Sequence, residues 1–209
     1  MKITDIHTHV LPEIPGRALV CIGCDPLPDN AHNHYFSAGL HPWDVTGSDD
    51  ERFRELEKLL ALPQVLAVGE CGFDRLKGPS HELQESAFLR QVVLSEKVGK
   101  PMILHVVRDF DTVIRLRKQL KPTQKWLIHG FRGGSEQMEQ LHRSGLEVSF
   151  GLKYNPESLK RIPSDRLFLE TDGKGSIDTL VQEISQIRKE SVDCIERQLQ
   201  RNYNYFLKA

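Results

Sequence analysis

The chain has 209 residues, 27% charged and 39% apolar, an ordinary globular mixture with enough length for one sizeable core. Its formal net charge of −1 excludes a global field that would draw in nucleic acid, so a polyanionic substrate must be held by local Arg and Lys or by metal. No apolar run approaches the ~20 residues that a membrane span needs.

Short apolar runs occupy residues 4–7, 18–22, 36–40, 65–69, 102–105, 126–129, 147–151 and 167–170. Most are bounded by Gly, Pro or charge, as buried parallel strands are. Helices fit between the later runs. Ser48 can cap one over residues 49–60, with Phe53, Leu56, Leu59 and Leu60 on one side. Ser80 can cap a second, in which Leu83, Ala87, Leu94 and Val98 form a stripe; Gly99 stops it and Pro101 follows. Further helices fit residues 111–120, 135–144, 177–189 and 192–206. Residues 9–18 and 24–35 carry no helix pattern, although parallel neighbours normally need a crossover there. Eight parallel strands can close a barrel. The expected fold is therefore α/β, a TIM-like (β/α)8 barrel, distorted or incomplete around the first two crossovers. The chain is shorter than the ~250 residues usual for that fold.

Metal-competent residues cluster at the C-terminal ends of these runs, which in such a barrel converge on one mouth. His7 and His9 end the first run, Gly39-Leu40-His41-Pro42 the third, Glu70 the fourth, His105 the fifth, His129 the sixth and Asp172 the eighth. The His7-Thr8-His9 spacing puts two imidazoles on one face of a strand, where they can share a metal. Asp172 can complete that site, His105 and His129 offer a second nitrogen pair, and Glu70 can bridge. Four histidines with Glu and Asp suit Zn, Mn, Fe or Co, whereas Mg prefers more oxygen. Two such ions ~3.5–4 Å apart would activate water and clamp a phosphodiester. His32-Asn33-His34, in a polar loop, reads as surface. Arg75, Lys77, Arg108, Arg132, Lys153 and Lys174 sit on loops at the mouth, and Arg108 is favoured as a substrate-binding residue because it lies three positions past His105. His41 is expected to face the mouth and donate to substrate, while Trp43 and Phe73 can stack on a base. Glu170 and Asp5, each two residues before a ligand position, are expected to stand behind the ligands, Glu170 orienting a histidine.

The sequence resembles the TatD family of metal-dependent hydrolases. Asp5-Ile6-His7-Thr8-His9 is similar to the family's DxHxH, Gly39-Leu40-His41-Pro42 to its GxHP, and Val68-Gly69-Glu70-Cys71-Gly72-Phe73-Asp74 to its VGExGLD with Phe73 for Leu. Gln84, Phe88 and Gln91 match its Q…F…Q helix. Pro101 to Asp109 resembles PxxxHxRD with one extra residue before Arg108. His129-Gly130-Phe131-Arg132-Gly133 is similar to HCFxG, and Leu169-Glu170-Thr171-Asp172 to LETD. Asn202 and Phe206 echo NxxxxF. The resemblance spans almost the whole chain and implies a metal-dependent hydrolase barrel over residues 1–209 as a single domain. It implies one metal held by His7, His9, Glu70 and Asp172 and another by Glu70, His105 and His129, with Asp172 orienting or deprotonating the attacking water. The two ions are expected to be divalent: Zn, Mn, Mg or Co. DNA is the substrate the resemblance favours. An ester, including aminoacyl-tRNA, is the alternative, and a degenerate barrel that binds metal without turnover is the non-enzyme reading. The loop Gly173-Lys174-Gly175-Ser176 departs from the family's xPYL, which bears on the substrate groove.

The opening Met-Lys-Ile-Thr-Asp has no apolar signal region after its lysine, so a cytoplasmic protein without a membrane partner is expected, with a monomer favoured. Cys21, Cys24, Cys71 and Cys194 are too irregular for a disulfide framework. The pair Cys21-Ile-Gly-Cys24 cannot alone close a four-cysteine zinc site, and no helix pattern follows it as a redox motif would require.

Overall fold

The computed structural model describes residues 3–208. Seven parallel strands form one sheet in sequential order: β1 (Asp5–Thr8), β2 (Ala18–Cys21), β3 (Tyr35–Ala38), β4 (Val65–Asp74), β5 (Met102–Val107), β6 (Trp126–Ile128) and β7 (Leu146–Val148). The eighth apolar run is no regular strand, yet it closes the ring. Phe150 and Leu169 form a parallel bridge, the Ile6 amide donates to the Leu169 carbonyl at 3.0 Å, and the Asp172 amide donates to the His7 carbonyl at 3.1 Å. The result is a TIM-like parallel barrel.

Helices pack outside the later strands: α1 (Asp50–Leu60), α2 (His81–Val98), α3 (Phe110–Leu120), α4 (Ser135–Arg143), α5 (Pro156–Arg161), α6 (Ile177–Arg188) and α7 (Val192–Leu207). Among the described residues no helix joins β1 to β2 or β2 to β3, so both early crossovers are loops, as the sequence pattern requires. The buried side of α1 is Phe53, Leu56, Leu59 and Leu60 as expected, but its N-cap is Asp49 and not Ser48. The Asp49 carboxylate accepts from the Thr46 and Gly47 amides at 2.9 and 3.0 Å, folding the preceding turn back on itself. Leu83 leaves the expected α2 stripe and is 36% exposed. The buried side of α2 runs instead through Gln84, Ala87, Phe88 and Gln91. Helix α5 is additional to the sequence expectation; Asn155 caps it and Pro156 stands at its first position.

Two glutamines of α2 fix the mouth. Gln91 grips Leu40 by both its amide (2.8 Å) and its carbonyl (3.0 Å), one residue before His41. Gln84 does the same to Asp74 at the end of β4 (2.8 and 3.0 Å). Both side chains are buried, where an amide must pair fully or cost stability. Between them Phe88 packs on Phe73 and Trp126, anchoring the helix to β4 and β6.

Candidate metal centre

Register, more than strand ends alone, aims the central side chains. Between Val68 and Cys71, β4 advances three residues while β5 advances two, so an extra residue is accommodated at Gly69-Glu70. Strand β1 does the same against β2 between Asp5 and Thr8, at Ile6-His7. Such bulges re-aim side chains, and here they turn Glu70 and His7 toward each other. Glu70 is thus mid-strand and not at the end of its strand. Glycines flank it because no Cβ fits. At Gly69 (φ 144°) it would clash with the Ile103 carbonyl oxygen, and at Gly72 (φ 140°) with that of His105.

Glu70 is buried at the centre of five histidines. Its Oε1 lies 2.6 Å from His105 Nδ1, 2.8 Å from His129 Nε2 and 3.3 Å from His41 Nε2. Its Oε2 lies 3.3 Å from His9 Nε2 and 3.4 Å from His7 Nε2. Asp172 Oδ1 completes the second side, 3.5 Å from His9 and 3.8 Å from His7. The six residues expected from the sequence therefore converge, divided over the two oxygens of Glu70. His41 joins them.

Charge follows this geometry. Burial opposes ionisation of Glu70, but His129, His105 and His41 override it and hold the carboxyl well below the usual range. Hydrogen bonding to Asp172 and Glu70 pushes His9 up to about 9. Burial disfavours the charged form of His129, yet Glu170 and Glu70 drive its pKa well above the usual histidine value. Burial, then the neighbouring His129, lowers His7.

His7 provides the test of whether a cation belongs here. Its side chain is fully buried and, among the described residues, neither ring nitrogen has a hydrogen-bond partner, a costly state for an imidazole. Nε2 points at Glu70 and Asp172, two carboxylate oxygens converging on one point. A divalent cation would satisfy all three at once, so the donor set fits one.

Residues behind these histidines hold them. Glu170 Oε1 lies 3.2 Å from His129 Nδ1, and its other oxygen accepts from Ser149. Asp74 Oδ2 lies 3.3 Å from His105 Nε2 and accepts from Trp43 Nε1 at 2.7 Å, while Oδ1 accepts from the Leu76 and Lys77 amides. Asp5 accepts from the His7 amide and from Thr171, tying β1 to the eighth segment; burial pushes its carboxyl up to about 7.

Other expectations are met differently. Phe73 is fully buried core, leaving Trp43, 41% exposed, as the aromatic at the mouth. Arg75 is committed to Asp109 at 2.6 Å. Lys77 Nζ sits 3.4 Å from the centre of the Trp43 ring. Arg108 is exposed with φ 54° and does not line the main cavity, so the structure does not bring it to the cluster. His32 is exposed, but His34 is buried. A residue the sequence reading set aside does reach the centre: Cys21, at the end of β2, has its sulfur within 4.8 Å of donor atoms of His9 and Glu70. The cavity over the cluster measures roughly 810 Å³, and its far wall is Leu11, Ile22, Pro26 and Pro28 from the two early loops.

The description TatD related DNase belongs to a family whose sequence profile matches residues 27–208. The chain belongs to the TatD family. Its sequence is 34% identical over 146 residues to the 3′-5′ ssDNA/RNA exonuclease TatD of Edwardsiella piscicida, covering 65% of this chain and 56% of that protein. It is 32% identical over 149 residues to YabD of Bacillus subtilis, described as an uncharacterized metal-dependent hydrolase, covering 66% of this chain and 58% of that protein. The chain thus spans little more than half the length of these two relatives. In three dimensions it is similar to YjjV, a TatD homolog from Escherichia coli K12, with a TM-score of 0.81 at 20% identity over 99% of this chain and 98% of that one. A TatD family hydrolase from Entamoeba histolytica gives 0.75 at 20% identity, covering 91% and 84%. These likenesses establish the TatD barrel.

Proposed function

We propose that this chain is a divalent-metal-dependent hydrolase that cleaves phosphodiester bonds in single-stranded DNA or RNA, the substrates named for its exonuclease relatives. The observation that carries this reading is the division of ligands over Glu70. His7, His9 and Asp172 gather at one oxygen, and His105 and His129 at the other. Each group would hold one divalent ion, with Glu70 shared and Zn, Mn, Mg or Co as the candidates. The chemistry such ions supply is Lewis-acid polarisation of the scissile ester and a nucleophile at neutral pH.

The chain's own residues supply the rest. Asp172 is half-buried at the mouth, its Oδ1 3.5 Å from His9 Nε2, and in this reading it takes a proton from the attacking water. His41 accepts the Trp43 amide on Nδ1 at 3.1 Å, which leaves Nε2 carrying the proton and facing the cluster, ready to donate to a substrate oxygen. Trp43 offers a face for a terminal base. Arg108, farther out on the rim, is placed in this reading against a phosphate beyond the scissile one.

A second reading, hydrolysis of a carboxylic ester such as an aminoacyl group, is favoured by the cavity wall. Among the described residues neither Lys nor Arg lines it, whereas Asp25 and Asp44 do. The test is hydrolysis of end-labelled single-stranded DNA by metal-stripped chain resupplied with Mg, Mn, Zn or Co, with Asp172→Asn as control. Metal-restored cleavage by the wild type alone supports the nuclease reading. Cleavage of aminoacyl esters but of no oligonucleotide would replace it with the esterase.

A further inference from the structure

The two cysteines of Cys21-Ile-Gly-Cys24 do not act as a pair. Cys24 Sγ turns to the Gly39 carbonyl at 3.6 Å, and both thiols are free. Cys21 turns the other way, to the floor of the main cavity. Its sulfur accepts a 3.3 Å hydrogen bond from the Glu70 amide, which fixes it beside the carboxylate. His9, Cys21 and Glu70 each offer a donor atom within 4.8 Å of the others, a spread that a single ion can span with Zn–N ≈ 2.0–2.1 and Zn–S ≈ 2.3 Å. Independently, His7 presents its unpartnered, fully buried ring to the same Glu70 oxygen that His9 faces.

We propose that Cys21 is a further metal ligand, making the His7/His9 side of the centre a mixed nitrogen, oxygen and sulfur site. The inference rests on reading the cluster as a metal centre. It follows from where β2 ends. Without a crossover helix the chain leaves the sheet at Cys21, directly between β1 and β3, and that strand end abuts His9 and Glu70. A metal deprotonates a coordinated thiol outright, and the Glu70 amide is already in place as a hydrogen-bond donor to the resulting thiolate. Soft thiolate selects Zn, Co or Cd over Mg and Mn. The remaining thiols supply nothing comparable: Cys71 is buried in the core and Cys194 lies exposed on α7.

The experiment is cobalt titration of metal-stripped chain in a Cys194→Ser background, followed by absorption. The visible ligand-field bands report cobalt in the centre; a near-ultraviolet thiolate-to-cobalt charge-transfer band reports sulfur bonded to it. Both are expected in the background chain and in its Cys24→Ser variant. In Cys21→Ser the ligand-field bands remain and the charge-transfer band is lost, while Zn affinity falls at least ~10-fold and Mn affinity stays level. Ligand-field bands without charge transfer in the background chain would overturn the role of Cys21 and leave the metal centre standing. A charge-transfer band that persists in Cys21→Ser would do the same. Failure to bind cobalt at all would overturn both readings. Should Cys21→Ser misfold, the background and Cys24→Ser spectra, with Cys21→Ala, decide the matter.

Discussion

Glu170 reaches across from the eighth segment to set the His129 ring, its Oε1 3.2 Å from Nδ1, so that Nε2 faces Glu70 at 2.8 Å. A carboxylate behind a ligand histidine fixes its tautomer and raises its basicity. Glu170→Gln keeps shape and removes charge. It is expected to weaken binding of a divalent ion ~10–100-fold, read by calorimetric titration with Zn or Mn, while the far-ultraviolet circular dichroism stays unchanged. Unaltered affinity would show that Glu170 only packs.

Asp172→Asn separates proton transfer from architecture. Asp172 has φ 52°, a conformation that Asn adopts as readily as Asp, so the variant should fold and melt like the wild type. At saturating metal, loss of the base is expected to lower kcat by ~10²–10⁴ with KM little changed. Steady-state kinetics on whichever ester the chain cleaves is the check, and a loss smaller than tenfold would remove Asp172 from that role.

The convergence of the central residues was legible in the sequence, their aim was not. His7, His9, Glu70, His105, His129 and Asp172 were legible because each is a metal-competent type near the end of an apolar run, and a parallel barrel sends those ends to one mouth. The missing early crossovers were legible too, since residues 9–18 and 24–35 have no amphipathic period. Invisible were the two register shifts that turn His7 and Glu70 inward, because a bulge depends on pairing with the neighbouring strand. The approach of Cys21 to the cluster was not legible, because its neighbours there arrive from β1 and β4 and not from the CxxC itself. Helix α5 had a readable signal in Asn155-Pro156, a capping residue followed by a proline at the first helical position.

Tyr203 links the last helix to the point of ring closure. Its hydroxyl accepts from the Leu169 amide and lies within reach of the Thr4 and Leu169 carbonyls, all at 2.9 Å, in a fully enclosed place. Tyr203→Phe leaves that buried amide without its acceptor. The expected cost is ~1–3 kcal/mol, read as a lower urea midpoint with unchanged slope. A stability loss below about 0.5 kcal/mol would mean that ring closure does not rely on this hydroxyl.

His142 makes stability depend on pH away from the histidine cluster. Burial, and then the Arg166 guanidinium, push it down to about 4, and its Nε2 is buried without a partner among the described residues. The unfolded chain, with an ordinary value of 6.5, takes up this proton more readily than the folded chain does. Stability from this group is therefore complete above pH 6.5, declines as pH falls toward 4 and changes no further below that. Between pH 7 and 5 the contribution is about 1 kcal/mol after allowance for partial exposure of the ring, or roughly 2–4 °C in Tm. Other groups titrate in that range, so the measurement is a difference: wild type should lose more Tm between those two pH values than His142→Gln does. Equal losses would mean that the ring accepts its proton in the folded chain as easily as in the unfolded one.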